Sequence, residues 1–164
     1  MSDRFIISSL LDVDSVGKYA VAHQFGYIVS IIIASAGKAW SPYFWDNFIN
    51  NGEEGKKFII KISKFIFLGI IFLTLSVVFI APLLIRVMID PEYHSSLAFV
   101  KWIALGYGVQ GLQIIFIQYI SFHKKTFYLS IIIILTLVFK LFSSYVLISN
   151  FGLIGAAWST FICF

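Results

Sequence analysis

Charge is scarce in this sequence, and residues 65–85, FIFLGIIFLTLSVVFIAPLLI, have none at all. A buried helix of a water-soluble protein keeps a polar face, and this stretch has no such face. About 20 apolar residues, rising ~1.5 Å each, cross a hydrocarbon core of about 30 Å. Its two polar side chains, Thr74 and Ser76, can return their hydroxyls to the backbone one turn earlier. Cysteine is scarcer still: Cys163 stands alone in an apolar run, which excludes a disulfide framework and a thiolate metal site. Beyond residue 19 no carboxylate falls inside an apolar segment, and Asp90, Glu92 and His94 are too few for acid–base or metal chemistry. The sequence therefore predicts no catalytic residue, no metal, no cofactor and no enzymatic activity. The opening residues, MSDRFIISSLLDVDS, lack the basic start, long apolar region and small-residue cleavage site of a signal peptide.

What is present is a succession of apolar segments separated by short clusters of charge. Spans are predicted over residues 1–11 in part, 19–40, 65–87, 98–122, 127–148 and 151–164 in part. This is the pattern of an all-α integral membrane protein, a single transmembrane domain of about five to six helices. Both ends fall inside apolar segments, and the first and last spans read as cut. Gly26, Ser30 and Ala34 recur every four residues, a small-residue face suited to close helix contact. Pro42 is expected to end the second span, with a hydrophilic connection over residues 46–64 and breakers at Asn50, Asn51 and Gly52. Lys57, Lys61 and Lys64 lie at helical spacing, as in a short amphipathic helix on the membrane surface facing anionic lipid. Pro82 is expected to kink the central span, and Arg86, Asp90, Pro91 and Glu92 to form the next turn.

Counting basic residues on alternate connections gives an orientation. Lys56, Lys57, Lys61, Lys64, Lys124 and Lys125 fall on one side, while Lys18 and Arg86 fall on the other. The lysine-rich side is predicted to be cytoplasmic. The formal net charge of +4 is thus an orientation signal, and nucleic acid is not an expected partner.

Six residues are candidates for a binding site: Lys38, Lys140, His23, Gln24, Asp3 and Arg4. Lys38, near the cytoplasmic end of its span, can either snorkel to the interface or meet an anionic ligand. Lys140 stands near the middle of an otherwise uncharged segment, where charge costs roughly 2.5–3.5 kcal/mol on insertion scales. It needs a partner or a watery cavity. Asp3 and Arg4 can pair with each other or with neighbouring helices, and His23 and Gln24 suit interhelical hydrogen bonds. Gln110 and Gln113, one turn apart in a glycine-rich segment expected to be buried, read as joining helices.

Five stretches taken together carry a resemblance: DRFII, SVGKYAVAHQF, KAWSPYF, the HKKT turn and NFGLIGAAWSTF. In order and spacing they resemble the polysaccharide-exporter branch of the multidrug, oligosaccharidyl-lipid and polysaccharide exporter superfamily, the Wzx-type O-antigen flippases. The resemblance implies a second half of a two-lobed fold, running from helix seven into helix twelve, with the missing N-terminal half as a partner. It also implies export of an undecaprenyl-diphosphate-linked oligosaccharide across the bacterial cytoplasmic (inner) membrane, with Lys38 on a helix lining the central cavity. Lys38 and Lys140 stand where that family commonly has an uncharged amide, and Ser149 where it often has proline. Two alternatives are an ion-coupled multidrug-type antiporter of the same superfamily, for which Asp3 is the one available intramembrane carboxylate, and a membrane glycan-assembly enzyme.

Overall fold

The computed structural model describes residues 2–50, 52–122 and 126–164, and every regular element among them is helical. The helices are α1 (Ser2–Leu10), α2 (Val13–Asn50), α3 (Gly52–Met88), α4 (Leu97–Phe122), α5 (Thr126–Phe151) and α6 (Leu153–Cys163), with a 3₁₀ turn at Pro91–Ser96 before α4. α2, α3, α4 and α5 are each long and apolar enough to cross a membrane, while α6 is a shorter apolar helix. His123, Lys124 and Lys125, the expected basic turn, lie outside the described residues, as does Asn51.

The breaks between helices are tighter than the sequence suggests. The polar turn expected from Asp12 to Gly17 shrinks to residues 11–12, because Asp12 caps α2. Its carboxylate accepts a hydrogen bond from the Ser15 backbone N–H at 2.6 Å, which satisfies a donor that has no helical partner. That hydrogen bond holds the Asp12 carboxyl below the ordinary carboxylate range. Asp14 then falls inside the helix and pairs with Lys18 one turn on. Before α4, the Asp90 side chain accepts from the Glu92 N–H at 3.2 Å and Pro91 opens the 3₁₀ turn, where its missing N–H costs nothing. Gly152, with φ of 63°, makes the left-handed corner between α5 and α6 that a residue with a Cβ would resist.

Pro42 does not end its helix: α2 passes through it and continues to Asn50. An interior proline costs about 3 kcal/mol. Against that, Trp40 and Phe44 are buried with Ile59 of α3, and Trp45, Phe48 and Tyr119 pack around them. Phe44 stacks on Phe48 at 5.1 Å and meets Tyr119 of α4 edge-on at 5.0 Å. Beyond the proline, burying Phe44 contributes about 1.5–3 kcal/mol and the half-buried Trp45 and Phe48 add to it, enough to offset the proline.

The hydrophilic connection over residues 46–64 is likewise helical on both sides. α3 begins at Gly52, and Lys57, Lys61 and Lys64 sit on its first turns, continuous with the uncharged run. No separate surface helix forms, since nothing between Lys64 and Phe65 breaks a helix. At 37 residues α3 is about 55 Å long. It also runs through Pro82 to Met88.

α4 is the hub of the bundle. Its glycines face three neighbours: a Cβ on Gly106 would press on the α6 backbone at Thr160 and Phe161, one on Gly108 would strike Thr74 of α3, and one on Gly111 would strike Ile33 of α2. Tyr19, Ala22, Gly26, Val29, Ile33, Gly37, Trp40 and Phe44 form the buried stripe of α2. The small-residue face expected at Gly26, Ser30 and Ala34 is therefore only partly used. Gly26 lies against Ile103 and the Ala104 backbone, but Ser30 is half-buried and Ala34 exposed. Each four-residue step advances about 40° around a helix, so such a stripe drifts off a contact that alternating steps of three and four keep.

Candidate functional site

A buried polar cluster joins four helices. Asp3 of α1 is 6% exposed, and its carboxylate lies 3.2 Å from the Lys140 ammonium of α5. Lys140 Nζ donates to Ser159 Oγ and to Thr160 Oγ1 of α6, both at 2.9 Å, so with Asp3 its three donors are taken. Asp3 in turn accepts from Ser144 Oγ at 2.9 Å and from the Tyr19 hydroxyl at 3.2 Å. A buried ion pair is tolerable only when its remaining hydrogen-bonding capacity is also met, and here it is. The partner that Lys140 requires is thus in this chain. Asp3 pairs with it and not with Arg4, which follows on α1 at an angle of about 100° and is half-buried.

A second group opens from the first toward the surface. His23 makes the interhelical hydrogen bond suggested by its position: Nε2 and the Tyr107 hydroxyl of α4 are 2.8 Å apart. Its ring stacks on Tyr27 at 6.0 Å, lies 6.0 Å from Tyr19 and meets Tyr107 edge-on at 5.7 Å. Beside this aromatic box a cavity of about 210 Å³ is lined by Ser30, Ala34, Tyr107 and Gln110 together with apolar residues.

Gln24 and Lys38 stand apart from both groups. Each is exposed on the outer side of α2, opposite its buried stripe. Gln24, Tyr27, Ile31, Ala34 and Lys38 are spaced three or four residues apart, so they form one continuous face bordering the cavity. Gln24 does not join helices as expected. Gln110 and Gln113 also fail to do so, and instead line an open groove between α4 and α5, two helices that touch little. The amide link between helices is made elsewhere, by Ser41 of α2 donating to Gln118 of α4 at 3.4 Å.

Sequence reasoning singled out Asp3, Lys140 and His23 but missed Tyr19, Tyr107, Ser144, Ser159 and Thr160, which hold them. The i,i+4 spacing of Tyr19, His23 and Tyr27 was a usable signal for the aromatic box. The hydroxyls of α6 gave none, because their contacts to Lys140 and Ser144 cross from one helix to the next, where spacing along a single helix says nothing. Searches against family models, curated proteins and solved structures found no match to the chain.

Proposed function

We propose that this chain is a multi-pass protein of the bacterial cytoplasmic membrane and one half of a Wzx-type flippase that exports undecaprenyl-diphosphate-linked oligosaccharide. The observation that carries this reading is the contrast between outward faces. The exposed residues of α3 and α5 include Phe72, Phe79, Leu83, Ile133, Leu135 and Phe142, a surface suited to lipid. The outward face of α2 sets Gln24, Tyr27, Ser35 and Lys38 among the exposed Ile28, Ile31 and Ile32, a mixed row suited to a cleft against a second helical bundle. Such a cleft, opening alternately to either side as the two halves rock, would shelter sugars and diphosphate while the polyprenyl tail stays in lipid. In it the Lys38 ammonium attracts a diphosphate far more strongly than it would in water, since the effective dielectric constant is lower. Gln24 offers hydrogen bonds to sugar hydroxyls along the same face, and His23, held by Tyr107, lies between that face and the buried stripe. Asp3 and Lys140, occupied with each other, anchor α1 beside it, and Arg4 lies on α1 next to them.

An ion-coupled antiporter would rest on Asp3, whose carboxylate already receives Lys140, Ser144 and Tyr19. Membrane glycan-assembly chemistry would need the Asp90 turn, where Asp90 serves as a cap. The antiporter reading is separable from ours by ligand. The chain, purified into lipid nanodiscs, is expected to crosslink to a photoreactive undecaprenyl-diphosphate probe, with competition by unlabelled undecaprenyl diphosphate and none by ethidium. Lys38→Gln should weaken the capture roughly tenfold or more, the loss typical of a charge-assisted contact, and Lys38→Arg should keep most of it. Competition by ethidium alone would favour the antiporter, and parental capture by Lys38→Gln would make Lys38 an interfacial anchor.

A further inference from the structure

The start of α3 has more positive charge than its neighbours neutralise. Lys56 pairs with Glu53 at 2.8 Å, whereas Lys57, Lys61 and Lys64 make no ion pair among the described residues. At steps of four and three residues these three occupy about 60° of the helix circumference. Next to them an open groove of about 460 Å³ separates α3 from α4. Lys64 is on its wall, with Lys61 and Lys57 one and two turns nearer the start of α3. In the opposite direction the walls are apolar: Phe67 and Leu68 on α3, Ile115 and Phe116 on α4.

Two further features fix what such a groove would hold. Ser63, on the groove wall, has a buried hydroxyl without a hydrogen-bond partner. Thr74 and Ser76 of the same helix return theirs to the carbonyls of Ile70 and Phe72 at 2.7 and 2.8 Å, so an unpaired serine is not general in α3. A buried donor left unmade costs free energy that a bound oxygen would recover. Tyr119, also on the wall, packs edge-on against Phe44 and Phe48 in the cluster that includes Trp40 and Trp45. Tryptophan and tyrosine concentrate at headgroup level, where the basic turns of α3 give way to its uncharged run.

We propose that this groove is a binding site for one anionic phospholipid. Its phosphate sits among Lys57, Lys61 and Lys64, a glycerol-ester oxygen accepts from Ser63, and one acyl chain lies between Phe67, Leu68 and Phe116. The site rests on the membrane reading above but not on the flippase reading, since it is on α3 and α4, away from the outward face of α2. The lysines supply the choice of headgroup, and the groove makes the contact discrete instead of a diffuse attraction of the surface.

Native mass spectrometry of the chain released from nanodiscs of equal phosphatidylglycerol and phosphatidylcholine tests it. One retained phosphatidylglycerol is expected, with retention falling about fivefold for each of Lys61→Gln and Lys64→Gln and persisting in the Lys61→Arg, Lys64→Arg pair. Ser63→Phe fills the groove with every charge intact, and the adduct should vanish. Equal retention of the two lipids overturns the site, as does an adduct that survives the glutamine pair. So does one that survives Ser63→Phe, because the attraction is then diffuse. Displacement by undecaprenyl phosphate at equal concentration also overturns it, giving the groove to the carrier lipid. Alkaline carbonate washing of the source membranes separates the two readings. A chain that stays in the membrane without lipid preference defeats the site alone, and a chain washed free defeats both.

Discussion

Asp3 and Lys140 were each legible as costly charges in apolar surroundings, but their pairing was not. Spacing along one helix predicts contacts a turn or two away, whereas this contact is set by α1 lying against α5 and α6. The hydrogen-bonded pair makes a specific prediction. Asp3→Asn leaves the Lys140 ammonium buried without its counter-charge and should destabilise the protein by about 3 kcal/mol or more, read as a lowered Tm in detergent. Asp3→Leu combined with Lys140→Met removes both charges and should recover most of that loss. A double variant as unstable as the sum of the singles would show that the two residues do not act as a unit. The Asp12 cap depends on pH. Its folded carboxyl titrates below the unfolded one, so its contribution is present above about pH 3.9 and is lost as pH falls through the folded value. Asp12→Ala should speed amide exchange at Ser15 and Val16 at neutral pH, and unchanged exchange would remove the cap from the folding of α2.

The helices themselves were readable wherever an uncharged run was long: α4 and α5 follow the apolar runs at 98–122 and 127–148 closely, whereas α3 contains its run but starts well ahead of it, at Gly52. Breaks were misjudged where a local signal was overridden by packing. Pro42 and the polar residues 46–64 read as a stop and a loop, yet aromatic residues beyond Pro42 bury against α3 and α4 and draw both helices on to Asn50 and from Gly52. Phe44→Ala should therefore cost about 3–5 kcal/mol and fray α2 beyond Pro42, whereas Pro42→Ala should leave the fold intact and at least as stable. Circular dichroism with thermal unfolding compares the two, and a benign Phe44→Ala would mean that the aromatic cluster does not hold the extension. At the α5–α6 corner the limit is backbone. A Cβ at Gly155 would collide with the Leu147 carbonyl, so Gly155→Ala should separate the pair and lower Tm sharply.

At the scale of the molecule, the sequence conveyed composition and span order but not which helix faces meet and which look outward. That second piece of information turned Lys38, Gln24 and Tyr27 into neighbours on one exposed face and gave Lys57, Lys61 and Lys64 a groove to border. Both uses depend on α3 crossing the bilayer with its lysine-rich start in the cytoplasm. Cysteine accessibility tests this most directly. In a chain with Cys163→Ser, Asn50→Cys and Ser95→Cys mark the two ends of α3, each at an exposed position. An impermeant maleimide added to cells with a permeabilised outer membrane should label Ser95→Cys and leave Asn50→Cys unreacted until the inner membrane is opened. Labelling of Asn50→Cys with protection of Ser95→Cys would contradict the orientation, and equal labelling of both would contradict the crossing itself.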